Sequence, residues 1–206
     1  MVDGQVVGED TGKLRPHLDL VVALSALVTS ISSIWLALAQ GDDMQRLVQA
    51  QSWPYIGFHS GNSTVDEATH ERVRSLGFNV VNQGVGPARV RWLEVSVDGR
   101  AVPNTTALML RAARLPEDAR IDRSDTYTSG IQGRVMRAGE EITFLRWHHA
   151  AQREPVWSAL DKARFGRIVI RACYCSVFDE CWISHSETPD PARVAQCPSV
   201  PVPFRE

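Results

Sequence analysis

The sequence predicts one N-terminal transmembrane helix followed by a mainly-β domain, an antiparallel sandwich-like fold carrying two short helical insertions. Three observations lead there. Leu20–Ala39 is a twenty-residue run without a charged side chain. After Trp53, short stretches rich in β-branched and aromatic residues alternate with turn-forming residues. All four cysteines fall between Cys173 and Cys197, where they can staple a small exported domain. The boundaries that follow are a cytoplasmic arm over residues 1–19, the span over 20–39, a helical stalk over 40–52, the β domain over 53–186 and a proline-rich tail over 187–206.

The span is set by length. At 1.5 Å per residue, a helix of about twenty residues covers roughly 30 Å, the thickness of a bilayer's hydrocarbon core. Asp19 on one side and Gly41-Asp42-Asp43 on the other bracket the run with residues that resist lipid, and Trp35 lies toward one end, where an indole favours the interface. Two other readings compete. A buried core helix would need protein on every side of an unbroken apolar run, which a 206-residue chain is too small to supply. A cleavable signal peptide is favoured by the small residues of Ala37-Leu38-Ala39, but the run is too long and the preceding arm holds Asp3, Glu9, Asp10 and Asp19 where basic residues are expected. Lys13 and Arg15 before the span against Arg46 after it place the N-terminus inside. The expected placement is therefore a single pass through the cell inner membrane, with the C-terminal domain periplasmic and the bilayer as partner of the helix.

Within the span, Ser25, Thr29 and Ser33 recur every four residues and form one small, weakly polar stripe. Such a stripe lets helices approach closely, which allows a homo-oligomer or another protein partner. The alternative is that each hydroxyl bonds its own helix backbone four residues earlier.

In the stalk, Met44, Leu47 and Val48 keep helical spacing until Trp53-Pro54 breaks it. The strands then read as YIGF, VRSLGFNVVN, ARVRWLEVSV, GRVMR, EITFLRW and RIVIRACYCSVF. Asp98-Gly99 supplies the positive φ angles of a type I′ hairpin turn, and Ala138-Gly139-Glu140 is read as joining GRVMR to EITFLRW. Thr106–Leu115, with a threonine cap and a stop at Pro116, and the segment from Pro155 to Gly166 are the helical insertions. The tail holds five of the eleven prolines and is expected to run extended and irregular.

Asn82–Val90, NQGVGPARV, has the glycines of a phosphate loop but not its context. Pro87 removes an amide and the next segment reads as a strand, so a tight turn is expected, with Gly84 and Gly86 supplying special backbone angles. This Asn-x-Gly-x-Gly-Pro-Ala segment, together with Tyr174-Cys175-Ser176 and Cys181-Trp182, resembles segments of uncharacterised single-pass bacterial membrane proteins with an exported β-sandwich-like domain. The resemblance covers about Trp53 to Trp182 and implies no activity.

A formal charge of −2 without a basic cluster excludes nucleic acid as a partner. Arginine outnumbers lysine 20 to 2, but the arginines are scattered among acids, so the excess reads as codon usage. His148 and His149 are strand neighbours that point to opposite faces, and His17, His59, His70 and His185 have no ligand-like spacing. No motif calls for a cofactor or metal, and no residue is assigned to catalysis.

The cysteines carry three readings. Cys173-x-Cys175 on a strand lacks the turn that paired zinc ligands use, and no Cys-x-x-Cys redox pair exists. Free thiols leave room for a Cys173–His148 nucleophile. Disulfides ask only for proximity: if RACYCSV and ECWIS pair across a loop centred on Phe178, Cys175 faces Cys181 and Tyr174 faces Trp182. Cys173 then joins Cys197 and ties back the tail. Alternation places Ile168, Ile170, Ala172 and Tyr174 on the core face and both strand cysteines on the opposite, more polar face. The function expected is a membrane-anchored extracytoplasmic interaction or ligand-binding module. A Cys/His enzyme and an oligomerising signal or effector component are the alternatives.

Overall fold

The structure is a computed structural model that describes residues 15–66, 68–148 and 154–205. The chain divides into two compact units, Met1–Val48 and Gln49–Glu206.

The first unit is dominated by α1, Arg15–Gln51, which continues into the first residues of the second unit. Its 37 residues make one uninterrupted helix about 55 Å long, with Pro16 in its first turn, where a missing amide is no loss. The span and the stalk are therefore a single element, and Gly41–Asp43 lies inside it rather than marking a break. One glycine within so long a helix costs only about 1 kcal/mol, too little to end it. Mean hydropathy over the most apolar 18-residue window is 2.1, and none of that window is buried against protein. The arm over residues 1–14 lies outside the described residues.

The second unit is a mainly antiparallel β domain of two sheets. One sheet has the order β1-β2-β7-β5, from β1 Ile56–Val65, β2 Arg72–Asn82, β7 Glu141–His148 and β5 Thr126–Thr128. The other runs β10-β9-β8-β3-β4, from β10 Thr188–Val194, β9 Cys181–His185, β8 Ile168–Cys175, β3 Ala88–Val97 and β4 Arg100–Val102, and β6 Val135–Met136 also pairs with β3. Alternate residues of both sheets feed one core that includes Leu76, Phe78, Val80, Phe144, Trp147, Val90, Leu93, Val95, Ile170, Ala172 and Tyr174. Helices α2, Thr105–Ala112, and α3, Glu154–Ala163, add Leu108, Met109, Trp157 and Leu160 to the same core.

Local chemistry explains the connections, with some corrections. Asp98 and Gly99 both have positive φ, 50° and 74°, and Val97 pairs with Arg100 across them. The cap of α2 is Asn104, not a threonine: its side-chain oxygen accepts from the Ala107 amide at 2.9 Å. Gly139 does not close a hairpin. Its φ is +75°, but β6 pairs with β3 while β7 pairs with β2, so the turn carries the chain from one sheet to the other. The tail is more ordered than its prolines suggested. Thr188–Val194 forms an edge strand, where proline lacks no needed donor, and Phe204 is buried in the core against Phe144 with ring centroids 5.6 Å apart.

The Asn82 turn holds the domain entrance. Gly84 and Gly86 are there for space rather than for positive φ: a Cβ on Gly84 would lie 2.4 Å from the Tyr55 amide nitrogen, and one on Gly86 2.1 Å from the Ser52 carbonyl oxygen. The turn wraps Ser52–Tyr55, with the amides of Val85 and Gly86 donating to the Trp53 carbonyl. Asn82 is fully buried at its centre. Its oxygen accepts from the amides of Tyr55 (3.2 Å) and Gly84 (3.1 Å), and its Nδ2 donates to the carbonyls of Gly86 (2.8 Å), Met136 (3.2 Å) and Arg137 (3.1 Å).

Candidate functional site

Strands β8 and β9 pair in the register Tyr174↔Trp182 and Cys175↔Cys181, across a turn that holds Val177 and Phe178 at its tip. Asp179 takes a positive φ of 61° there, an angle aspartate tolerates better than most residues. Cys175 is bonded to Cys181 and Cys173 to Cys197, so all four sulfurs are in disulfides. On the core face, Tyr174 and Trp182 stack with centroids 6.0 Å apart, and Ser184 Oγ donates to the Tyr174 hydroxyl at 3.2 Å. Burial pushes the Tyr174 phenol upward in pKa, because the phenolate loses its water.

The opposite face departs from the expected pattern. Cys173 and Cys175 do point away from the main core, but both are buried. The tail covers them: Cys197 is tied beneath it, and Trp92 Nε1 donates to the Pro198 carbonyl at 2.7 Å. Beside them lies a shallow cleft of ≈450 Å³ lined by Arg91, Trp92, Asp179 and Gln196. The two disulfides are neighbours, with Sγ of Cys175 3.8 Å from Sγ of Cys197. The sulfurs of Cys175, Cys181 and Cys197 all lie within 4.8 Å of one another, close enough for a three-thiolate site in a reduced chain. Oxidised, they offer no thiolate to a metal, and Cys173 has no thiol with which to act as a nucleophile.

Among the described residues, no cluster of three or more metal-ligating side chains includes a histidine. His59 Nε2 lies 3.0 Å from Glu141 Oε1 and 2.9 Å from Asn79 Nδ2 on the outer face of the first sheet. His148 packs edge-on against Tyr127, and His185 Nδ1 accepts from the Glu187 amide at 3.2 Å. The hydrogen-bonding partners of His59 and His185 are carboxylate, side-chain amide and backbone groups, none of them a hydroxyl or thiol nucleophile. His149 lies outside the described residues.

In the apolar helix the stripe hydroxyls are turned to their own backbone. Ser25 Oγ donates to the Val22 carbonyl (2.8 Å), Thr29 Oγ1 to Ser25 (2.9 Å) and Ser33 Oγ to Thr29 (2.7 Å). Each polar group is thereby satisfied within the helix, as an apolar surrounding requires.

One cleft was not foreseen from the sequence. It has a volume of ≈610 Å³ and is formed by β4, the loop to α2, and α2 with its C-terminal turn. Arg100, Arg111 and Arg114 line it, so part of the arginine excess attributed to codon usage is gathered at one place. The signal was present as R-x₁₀-R-x-x-R following Asp98-Gly99, but only the fold shows that a hairpin and a helix end share one wall. Asp98 sits at its edge, held bidentately by Arg167 (Nε–Oδ1 2.9 Å, Nη2–Oδ2 2.6 Å). That pair holds the Asp98 carboxyl below its usual pKa, with Arg114 and Arg111 adding to the effect.

Comparison with protein-family models, with curated proteins and with solved structures returned no match.

Proposed function

We propose that this chain is a membrane-anchored module whose β domain works outside the cytoplasm, in the periplasm of a cell whose inner membrane holds α1, and that the domain binds a ligand or partner there. The observation that carries this reading is the closure of all four cysteines into two disulfides in a domain that follows a helix holding a long charge-free apolar run. Disulfides persist where the compartment is oxidising, whereas cytosolic thiols are kept reduced. The 2.1 hydropathy window, exposed along its whole length, has no protein to bury it and fits lipid. A binding role is supported by the cleft beside α2, which sets arginines next to apolar side chains.

The test is topology. Alkaline phosphatase, which is active only when exported, and green fluorescent protein, which fluoresces when folded in the cytoplasm, are fused in turn after Glu206. Phosphatase activity without fluorescence in membrane fractions is the expected result. Fluorescence without phosphatase activity, or recovery of the fusion in the soluble fraction, contradicts the anchor or its orientation.

A further inference from the structure

Three guanidinium groups and two carboxylates line the ≈610 Å³ cleft beside α2, and the carboxylates are already engaged. Asp98 is taken by Arg167, and Glu117 by Arg111 at 3.2 Å. Arg100 and Arg114 have no ion pair among the described residues. Arg123, whose Nη1 donates to Thr106 Oγ1 at 2.6 Å, adds further positive charge at the same wall. Ala107, Leu110 and Leu115 supply an apolar part of the lining, beside polar Asn104 and Thr106. The volume falls within the range of small-molecule sites, about 300–1,000 Å³.

The backbone gives a second, independent observation. Helix α2 ends in a turn in which the Leu115 amide donates to the Leu110 carbonyl at 2.8 Å, and Arg114, one residue earlier, has φ 56°. That left-handed position is ordinarily glycine's, because a Cβ there meets the neighbouring carbonyl. An arginine in this place is not explained by helix termination, which glycine serves with less strain. Its guanidinium is explained by the cleft it lines.

We propose that this cleft binds a small organic anion with an apolar body, a carboxylate or phosphate on a short aliphatic or aromatic frame, with Arg100 and Arg114 contacting the anion and Ala107, Leu110 and Leu115 receiving the frame. The planar fork of arginine matches the two oxygens of either anion. This deepens the binding-module reading given above. Location and binding are read in separate assays, so the failure of one is distinguishable from the failure of the other.

Equilibrium dialysis of the full-length chain in detergent, against radiolabelled 4-phenylbutyrate, phenyl phosphate or neutral 4-phenylbutanol, tests it, with empty micelles as the blank. Saturable binding of one or both anions, weakened by salt and absent for the alcohol, is expected. Arg114→Gly should weaken that binding roughly tenfold, the equivalent of one lost charge-assisted contact, while the midpoint of thermal unfolding stays the same or rises. Arg100→Gln should also weaken it, with unfolding unchanged. The proposal is overturned if neither anion binds above the micelle blank at millimolar concentration. It is equally overturned if the alcohol binds as well as the anions, or if Arg114→Gly binds like the parent chain.

Discussion

Removing the long-range disulfide by replacing Cys173 and Cys197 together with alanine should destabilise the domain more than the same treatment of Cys175 and Cys181. The two crosslinks close loops of very different length, with sequence separations of 24 and 6. In the chain-entropy description a crosslink removes about 2.1 + 1.5R ln n cal/mol/K from the unfolded chain, so separations of 24 and 6 correspond to roughly 3.4 and 2.2 kcal/mol at 25 °C. For a domain the size of Gln49–Glu206, where each kcal/mol moves the midpoint by about 2–4 °C, the losses are roughly 7–14 °C and 4–9 °C. Phe204 in the core and the Trp92–Pro198 hydrogen bond still hold the tail in the first variant, so the domain should unfold cooperatively rather than shed its C-terminus. The assay is thermal unfolding of the full-length chain in detergent, followed by near-ultraviolet circular dichroism with reductant absent. A smaller loss for the Cys173/Cys197 pair than for the Cys175/Cys181 pair would refute the idea that the tail crosslink acts through loop closure.

A single Cys173→Ala change should behave differently, because it frees Cys197 beside another disulfide, 3.8 Å from Cys175 Sγ. The Cys197 thiolate can attack that sulfur and release the Cys181 thiolate, so peptide mapping under non-reducing conditions should recover Cys175–Cys197 crosslinks alongside the native pair; only native Cys175–Cys181 would show that the sulfurs do not communicate. Asn82→Ala leaves two amides and three carbonyls of the entrance turn without their partner, and a loss of about 3–5 kcal/mol in denaturant unfolding is expected; a loss under about 1 kcal/mol would mean that water replaces the side chain freely. Tyr174 sets an alkaline limit. Its folded pKa is raised by burial, so the stability tied to the neutral phenol is whole below about pH 10, where the unfolded phenol ionises, and is lost as pH rises through the folded value. Tyr174→Phe should flatten this alkaline loss in unfolding midpoints measured from pH 8 to 11, and an unaltered slope would assign the loss to other groups.

What the sequence made legible was whatever depends on neighbours in the chain. Alternation in RIVIRACYCS and the short loop around Phe178 are enough to put Cys175 opposite Cys181, since cross-strand register is local once the turn is known. Asp98-Gly99 announces its hairpin for the same reason. Contacts between distant segments left weaker traces. Gly84 and Gly86 look like turn residues, and only the passage of Ser52–Tyr55 against them reveals that the space of a Cβ is what they give up. β6 belongs to the sheet opposite β7 because Ala88 and Arg89 pair with it, which nothing in GRVMRAGEEITF specifies. Proline content argued against order in the tail, yet one edge strand and one buried phenylalanine outweigh it. The arginines of the α2 cleft are spaced along the chain so that no charge block forms, and the fold gathers them.

The most direct measurement of the account is the state of the four cysteines in living cells. Intact cells are treated with a membrane-permeant alkylating agent, the full-length chain is isolated without reductant, and its peptides are read by mass spectrometry. No alkylated cysteine and two crosslinked peptide pairs, Cys173 with Cys197 and Cys175 with Cys181, are expected. Four alkylated cysteines, or stoichiometric zinc released with the chain, would contradict it and return the β domain to a reducing compartment.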